Sequence, residues 1–236
     1  MTADEAKARC WVEVDLDAVC DNYIKARDAA GDADVIPVLK ADAYGCGAAK
    51  VAGALKRRGA RLAAVATVTE ALEIKGILDV LVLGLAGDSL IETAIKENII
   101  LTAYSPESAR AYAYASQKLG KTCRVHIKVN TGLNRLGFDP QDEASLIMAA
   151  EDPRLLVEGI YTHLGLHDEA SDLCQFELFD RAYKAVNAPL RHVLDSIGLF
   201  KYPDRRYDAV RVGAYLYGVS PSSAFEPAKP AVAFRA

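Results

Sequence analysis

The chain has 236 residues, 51% hydrophobic and 25% charged, which is enough apolar material for one large barrel or two small domains with a real core. A formal net charge of -4 and a pI near 5.6 exclude a general affinity for nucleic acid or for anionic membrane surfaces, so an anionic ligand needs a local site. The cysteines Cys10, Cys20, Cys46, Cys123 and Cys174 are scattered without CxxC spacing. They point to a reducing compartment, with neither a disulfide framework nor a zinc site, and no metal is expected.

The N-terminal "MTADEAKARC" is polar, with no apolar signal core, and nowhere do 18 apolar residues run uninterrupted. A cytoplasmic protein without a membrane span is expected. "WVEVDLDAVCDNYIKARDAA" (11–30) reads as a short strand-like piece leading into a helix that Asp15 can cap. Short β-branched runs then alternate with helical spacing: "VIPVLK" (35–40), "LAAVAT" (62–67), "DVLVLG" (79–84), "IILTAY" (99–104), "RVHIKVN" (124–130), "LLVEGIYTHL" (155–164), "RHVLDS" (191–196) and "AVRVGA" (209–214). Among the helical stretches, "SPESARAYAYASQKLG" (105–120) has Ser105 to cap it, Pro106 at its first position and Gly120 to end it. "SDLCQFELFDRAYKAV" (171–186) reads the same way.

Strands alternating with helices imply a parallel sheet, and eight such units in about 200 residues predict an α/β fold of the (β/α)8, TIM-barrel type. An open doubly wound sheet is the competing architecture, with no GxGxxG or P-loop in its favour. The final "YLYGVSPSSAFEPAKPAVAFRA" is rich in Pro and Ser and ends like the opening of another strand. The expected division is a barrel over 1–230 and the start of a further β-domain over 231–236.

In such a barrel the site is built at the carboxyl ends of the strands, where Lys40, His163, Asp195, Ser196 and Arg211 fall. A lysine there is usually a solvated loop residue. Held in a barrel mouth, its amine is partly desolvated, which favours the neutral nucleophile. Tyr44 can donate its hydroxyl to a phosphate, with Gly45 and Gly47 allowing close backbone approach. Ser196 and the backbone around Gly213 and Ala214 form a second half of such a cup, after strands seven and eight. Period-two alternation in the fifth strand puts His126, Lys128 and Asn130 on one face, where cationic groups inside a barrel require partners or modification.

These segments occur together in a recognisable order. "VLKADAYGCG", "KVNTGLNRLGF", "THL", "DSIGLFKYPD" and "DAVRVGAYLYG" resemble the N-terminal barrel of bacterial alanine racemase over roughly residues 11–236. The resemblance implies racemisation of L- and D-alanine with pyridoxal 5'-phosphate. Lys40 then resembles the lysine that carries the cofactor as a Schiff base and serves as one of two catalytic bases. Tyr44, Ser196, Gly213 and Ala214 are similar to the phosphate cup, and Arg211 to the arginine facing the pyridine nitrogen. Arg135 resembles the arginine near the phenolic oxygen and the substrate carboxylate. Lys128 is similar to the lysine often carbamylated to orient it, and His163 to the histidine supporting the ring and Arg211.

The family also implies a homodimer, a cytoplasmic setting and supply of D-alanine for peptidoglycan precursors. Its second base is a tyrosine in a C-terminal β-domain absent from this chain, so weak activity is expected of the chain alone. Two departures stand out. Cys46 replaces the histidine usual between the two glycines, and Asp195 replaces the asparagine usual before the phosphate-binding serine. Alternation places Asp195 and Ser196 on opposite sides. Competing readings are a single-domain pyridoxal-phosphate homeostasis protein, a racemase for serine or another amino acid, and a basic amino-acid decarboxylase. Arg211 opposes the last, because those enzymes resemble barrels with an acidic partner for the ring nitrogen.

Overall fold

The computed structural model describes residues 11–220 and 227–235. Cys10 with the polar N-terminal decapeptide, residues 221–226 and Ala236 lie outside them. Eight parallel strands form a closed barrel: β2 (Asp34–Pro37), β3 (Leu62–Val65), β4 (Asp79–Val82), β5 (Leu101–Ala103), β6 (Cys123–Lys128), β7 (Leu155–Tyr161), β8 (Leu190–His192) and β9 (Ala209–Val212). The β2–β3 seam is closed by the Val38–Ala64 bridge and the β4–β5 seam by the Leu81–Ile100 bridge. β9 pairs in turn with β2, so none of these eight strands is left as an edge of the barrel. This is the predicted barrel, and the open sheet is set aside.

Apart from the barrel, β1 (Trp11–Val14) pairs antiparallel with β10 (Val232–Arg235). The expected helices form where their caps allow. α1 (Leu16–Ala30) starts at Asp15, whose carboxylate accepts from the Asp17 and Ala18 N–H groups. α6 (Pro106–Leu119) starts at Ser105 and stops at Gly120 in the left-handed conformation. α8 (Glu169–Val186) begins two residues before the stretch expected, because Asp168 supplies the cap. Between α1 and α6 run α2 (Lys40–Gly45), α3 (Ala48–Arg57), α4 (Val68–Ile74) and α5 (Asp88–Lys96). α7 (Glu143–Ala150) precedes α8, and α9 (Ser196–Lys201) follows β8.

The core has two compartments. The larger lies between the barrel wall and its helices. The smaller fills the lower barrel interior with Ile36, Val38, Ala64, Leu81, Ile100 and Ala209. Above that apolar plug, toward the carboxyl ends of the strands, the interior side chains turn polar: Thr102, His126, Lys128, His192 and Arg211 are all buried. Among the described residues, no helix is long and apolar enough to cross a membrane.

Candidate active site

The chain leaves β2 in an unusual conformation. Ala41, Asp42, Ala43 and Tyr44 all have φ between 53 and 56°, so α2 is a left-handed turn of four non-glycine residues. Each residue in that region costs on the order of 1–2 kcal/mol, and a run of four needs support from its surroundings. The turn has that support: the Ala43 N–H donates to the Leu39 carbonyl, Gly47 N–H to the Asp42 carbonyl, and Ala48 N–H to Asp42 Oδ1 at 2.6 Å. Gly45 and Gly47 also have positive φ, at 84 and 88°, with open space where a Cβ would stand. Their positive φ serves the turn, and the space beside them is open. Lys40 stands at the head of this turn and is exposed, with its Nζ 5.7 Å from the centre of the Tyr44 ring. Cys46 packs beneath the turn, and burial pushes its thiol up.

Opposite Lys40 lies a small polar cup. Gly213 N–H donates to Ser196 Oγ at 3.1 Å. A Cβ on Gly213 would lie 2.7 Å from the Tyr44 hydroxyl, so only glycine lets the tyrosine sit against this backbone. Ala214 begins a 3-10 turn, Ala214–Tyr217, immediately after. Asp195 and Ser196 do not face opposite sides, because both line the same cavity. The strand has ended at His192, and the alternation that separates neighbours ends with it. Asp195 has other partners: Oδ1 accepts from the Ile197 and Gly198 N–H groups at 2.9 Å, and Oδ2 stands 3.8 Å from His163 Nε2.

The third component is a buried polar layer. Arg211 Nη1 donates to the His192 carbonyl and to His192 Nδ1, both at 2.8 Å. Nη2 donates to the Thr162 and Val193 carbonyls at 2.7 and 2.8 Å and lies 3.4 Å from His163 Nδ1. Arg211 Nε has no hydrogen-bond partner among the described residues, which leaves one donor for a ligand. Because His192 Nδ1 accepts from arginine, its proton sits on Nε2, which donates to His126 Nδ1 at 2.8 Å. Tyr161 stacks on His192, with ring centroids 4.6 Å apart, and its hydroxyl bonds Thr102 Oγ1 at 2.8 Å. This layer answers the expectation that His126 needs a partner. Asn130 instead leaves the interior and bonds Asn134 in the loop after β6.

That loop is closed by Phe138, whose N–H donates to the Lys128 carbonyl and whose carbonyl accepts from Asn130 N–H. A Cβ on Gly137 would stand 2.4 Å from Asn130 N, so the N-R-L-G-F glycine permits the closure that sets Arg135 at the rim. Lys128 has no carboxylate within ion-pair distance among the described residues. Its Nζ lies 5.2 Å from the Tyr161 ring centre. Burial first, then Arg211 and Arg135, pull its pKa down to about 7. Burial and Arg211 likewise hold His163 down to about 4, against the opposing pull of Asp195, and burial lowers His126 to about 3. Both imidazoles are therefore neutral at pH 7.

Lys40, Tyr44, Lys128, Arg135, His163, Ser196, Arg211, Gly213 and Ala214 all line one cavity of ≈ 270 Å³. Tyr161, Leu83, Val38 and Ile197 line it too and were not singled out from the sequence, nor was His192 beneath it. Tyr161 and His163 are two residues apart, so period-two alternation offered the one signal available.

This arrangement has counterparts. Residues 14–221 match the family model for the alanine racemase N-terminal domain. The chain belongs to that family. It is 34% identical over 226 residues to the alanine racemase of Clostridium tetani, covering 90% of this chain and 58% of that protein. The solved alanine racemase of Clostridium difficile in complex with cycloserine superposes with a TM-score of 0.90 at 30% identity, over 97% of this chain and 68% of that one. That of Bartonella henselae, with covalently bound pyridoxal phosphate, gives a TM-score of 0.88 at 28% identity, over 96% of this chain and 69% of that one. The chain thus spans under three-fifths of the Clostridium tetani relative's length.

Proposed function

We propose that the cavity holds pyridoxal 5'-phosphate tethered to Lys40, and that the chain is the cofactor-binding part of an enzyme interconverting L-alanine and D-alanine. The observation that carries this reading is the grouping of an amine, a polar cup and a charged donor around one cavity. The cup fits a phosphate: a Cβ on Gly213 would fill it, and Ser196 and Tyr44 supply hydroxyls. The cavity is lined by the cationic side chains Lys40, Lys128, Arg135 and Arg211 against the single carboxylate of Asp195, a balance that favours a dianion and an amino-acid carboxylate.

When bound, the cofactor supplies the electron sink that makes the α-proton of an amino acid removable. Lys40 is the tether and also one of two bases, holding the α-proton on Nζ. Arg211 keeps its proton, so an acceptor facing Nε receives a hydrogen bond and stays unprotonated, which makes the sink shallow and disfavours transamination. Neutral His163 accepts from Arg211 and turns Nε2 toward Asp195. Arg135 binds the substrate carboxylate as a fork. Lys128, facing only cations, is a site for carbamylation: addition of its amine to carbon dioxide with loss of a proton gives an anion that pairs with Arg135.

Two-base racemisation needs a proton donor on the opposite face, since one base returns the proton to the side it came from. A tyrosine from the family's remaining length, acting across a homodimer, is the proposed second base, and the barrel alone is expected to be feeble. The proposed division places residues 1–230 in the barrel and 231–236 in a second domain, to which β1 attaches through β10. The proposed setting is cytoplasmic, supplying D-alanine for peptidoglycan.

An absorbance spectrum after adding pyridoxal phosphate tests the tether. The expected result is a visible band in the parent that is absent in Lys40→Ala. No band in either protein would overturn the assignment of Lys40. Robust racemisation by the chain alone would overturn the need for a second base from elsewhere.

A further inference from the structure

The left-handed turn that carries Lys40 is held from outside by a residue that does not line the cavity. Glu70, half-buried on α4, places Oε1 2.8 Å from the Ala41 N–H. Its Oε2 accepts from the Ala66 and Thr67 N–H groups at 2.7 and 3.2 Å. The second set has an ordinary explanation: Thr67 Oγ1 accepts from Glu70 N–H in return, and the two residues form a capping box. A capping box makes no use of the other oxygen, which reaches 29 residues back along the chain. There it meets the first N–H of the left-handed run, on the peptide that joins Lys40 to Ala41. Ala41 is exposed, and water would satisfy that N–H without fixing it. A carboxylate fastened at its other oxygen to the β3–α4 connection fixes the peptide in orientation as well.

We propose that Glu70 is a positioning residue for Lys40: it pins the first peptide of the left-handed turn to the barrel wall and so sets where the amine stands over the cavity. The same pin aligns the far end of the turn, where Tyr44 meets Gly213. Glu70 touches neither substrate nor cofactor. The inference rests on the reading of Lys40 as the tether.

The test compares Glu70→Ala and Glu70→Gln with Thr67→Ala, which breaks the same helix cap without touching Ala41. Lys40 is trapped with pyridoxal phosphate and borohydride, and the modified peptide is located and timed by mass spectrometry. Amide exchange over residues 41–44 is measured on the protein without added aldehyde. Glu70→Ala is expected to slow trapping at Lys40 about tenfold or more, the worth of one charge-assisted hydrogen bond, and to speed exchange at Ala41. Thr67→Ala is expected to stay near the parent in both. Glu70→Gln keeps one acceptor oxygen and falls between, and it carries the comparison should the alanine variant not fold. Trapping in both Glu70 variants at the Thr67→Ala rate would overturn the proposal. Absence of trapping at Lys40 in the parent would instead overturn the tether, and exchange at Ala41 would then decide by itself whether Glu70 holds the turn.

Discussion

The two sides of the cavity reach order by opposite means. On the β2 side, Lys40 is exposed and its position comes from backbone: a left-handed turn held by local hydrogen bonds and by Glu70. On the β6–β9 side, Arg211, His192 and His126 are almost fully buried, and their positions come from side-chain bonds that satisfy nearly every donor. The proposed tether needs room to swing, and here it stands on a stiff support, exposed, with the Tyr44 ring 5.7 Å from its amine. A group that sets the electrostatics of a site must not relax, so it is locked in low dielectric where reorganisation is small.

The largest expected effect breaks the locked side. Arg211→Met removes the donors to the Thr162, His192 and Val193 carbonyls together, and should lower the unfolding free energy by about 3–5 kcal/mol. Lys40→Ala should change it by about 0.5 kcal/mol or less. Urea unfolding of both variants checks the contrast, and equal losses would erase it.

Acid should act on the same side. His163 and His126 have folded-state pKa values of about 4 and about 3, below their ordinary 6.5, and burial places His192 well below it too. The unfolded chain therefore binds protons first: the histidines' contribution to stability is complete above pH 6.5 and is lost as pH drops toward 4, by about 1.4 kcal/mol per pH unit for each histidine. Lys128, depressed from 10.5 to about 7, adds a rise in stability from pH 7 to 10.5. Lys128→Met should flatten that upper limb and leave the acid limb in place. Unfolding profiles across pH 4–10 measure both. Above pH 9 the buried Cys123 thiol, pushed up to about 12, draws stability down and opposes this rise, so a limb already flat between pH 7 and 9 in the unmodified parent would show that Lys128 is not buried as an amine.

Smaller effects sharpen the comparison. Gly213→Ala puts a methyl group against the Tyr44 hydroxyl and should cost about 1–3 kcal/mol from overpacking. It should also weaken binding of pyridoxal phosphate more than that of pyridoxal, which titration of the two ligands separates. Asp15→Ala removes the α1 cap and should cost about 1 kcal/mol, with ligand binding unchanged.

Much of this was legible in the chain. The eight strand runs, the Asp15 and Ser105 caps and the Gly120 stop follow from local patterns, and each element formed within a few residues of its expected place. The strand-end rule then brings Lys40, His163, Ser196 and Arg211 to one mouth without any knowledge of contacts. Reading failed where the regular period stops. The alternation that would separate Asp195 from Ser196 stops with the end of β8, and the left-handed conformation of Ala41–Tyr44 runs against the ordinary preference of its residues, of Asp42 least. His192 and Tyr161 were hidden inside apolar strand runs, where an interior polar layer looks like ordinary sheet.

The sequence by itself determined which segments are strands, which are helices and at which end of the strands the candidate residues fall, because those depend on periodicity and caps spanning a few residues. Only the tertiary structure decided that Arg211 keeps one unpaired donor and that Glu70 reaches the peptide after Lys40. These are meetings of groups 18 or more residues apart along the chain, and no local pattern encodes them. They arise when closing the barrel brings all the strand ends to one rim, where each buried donor must find an acceptor among whichever neighbours closure has supplied.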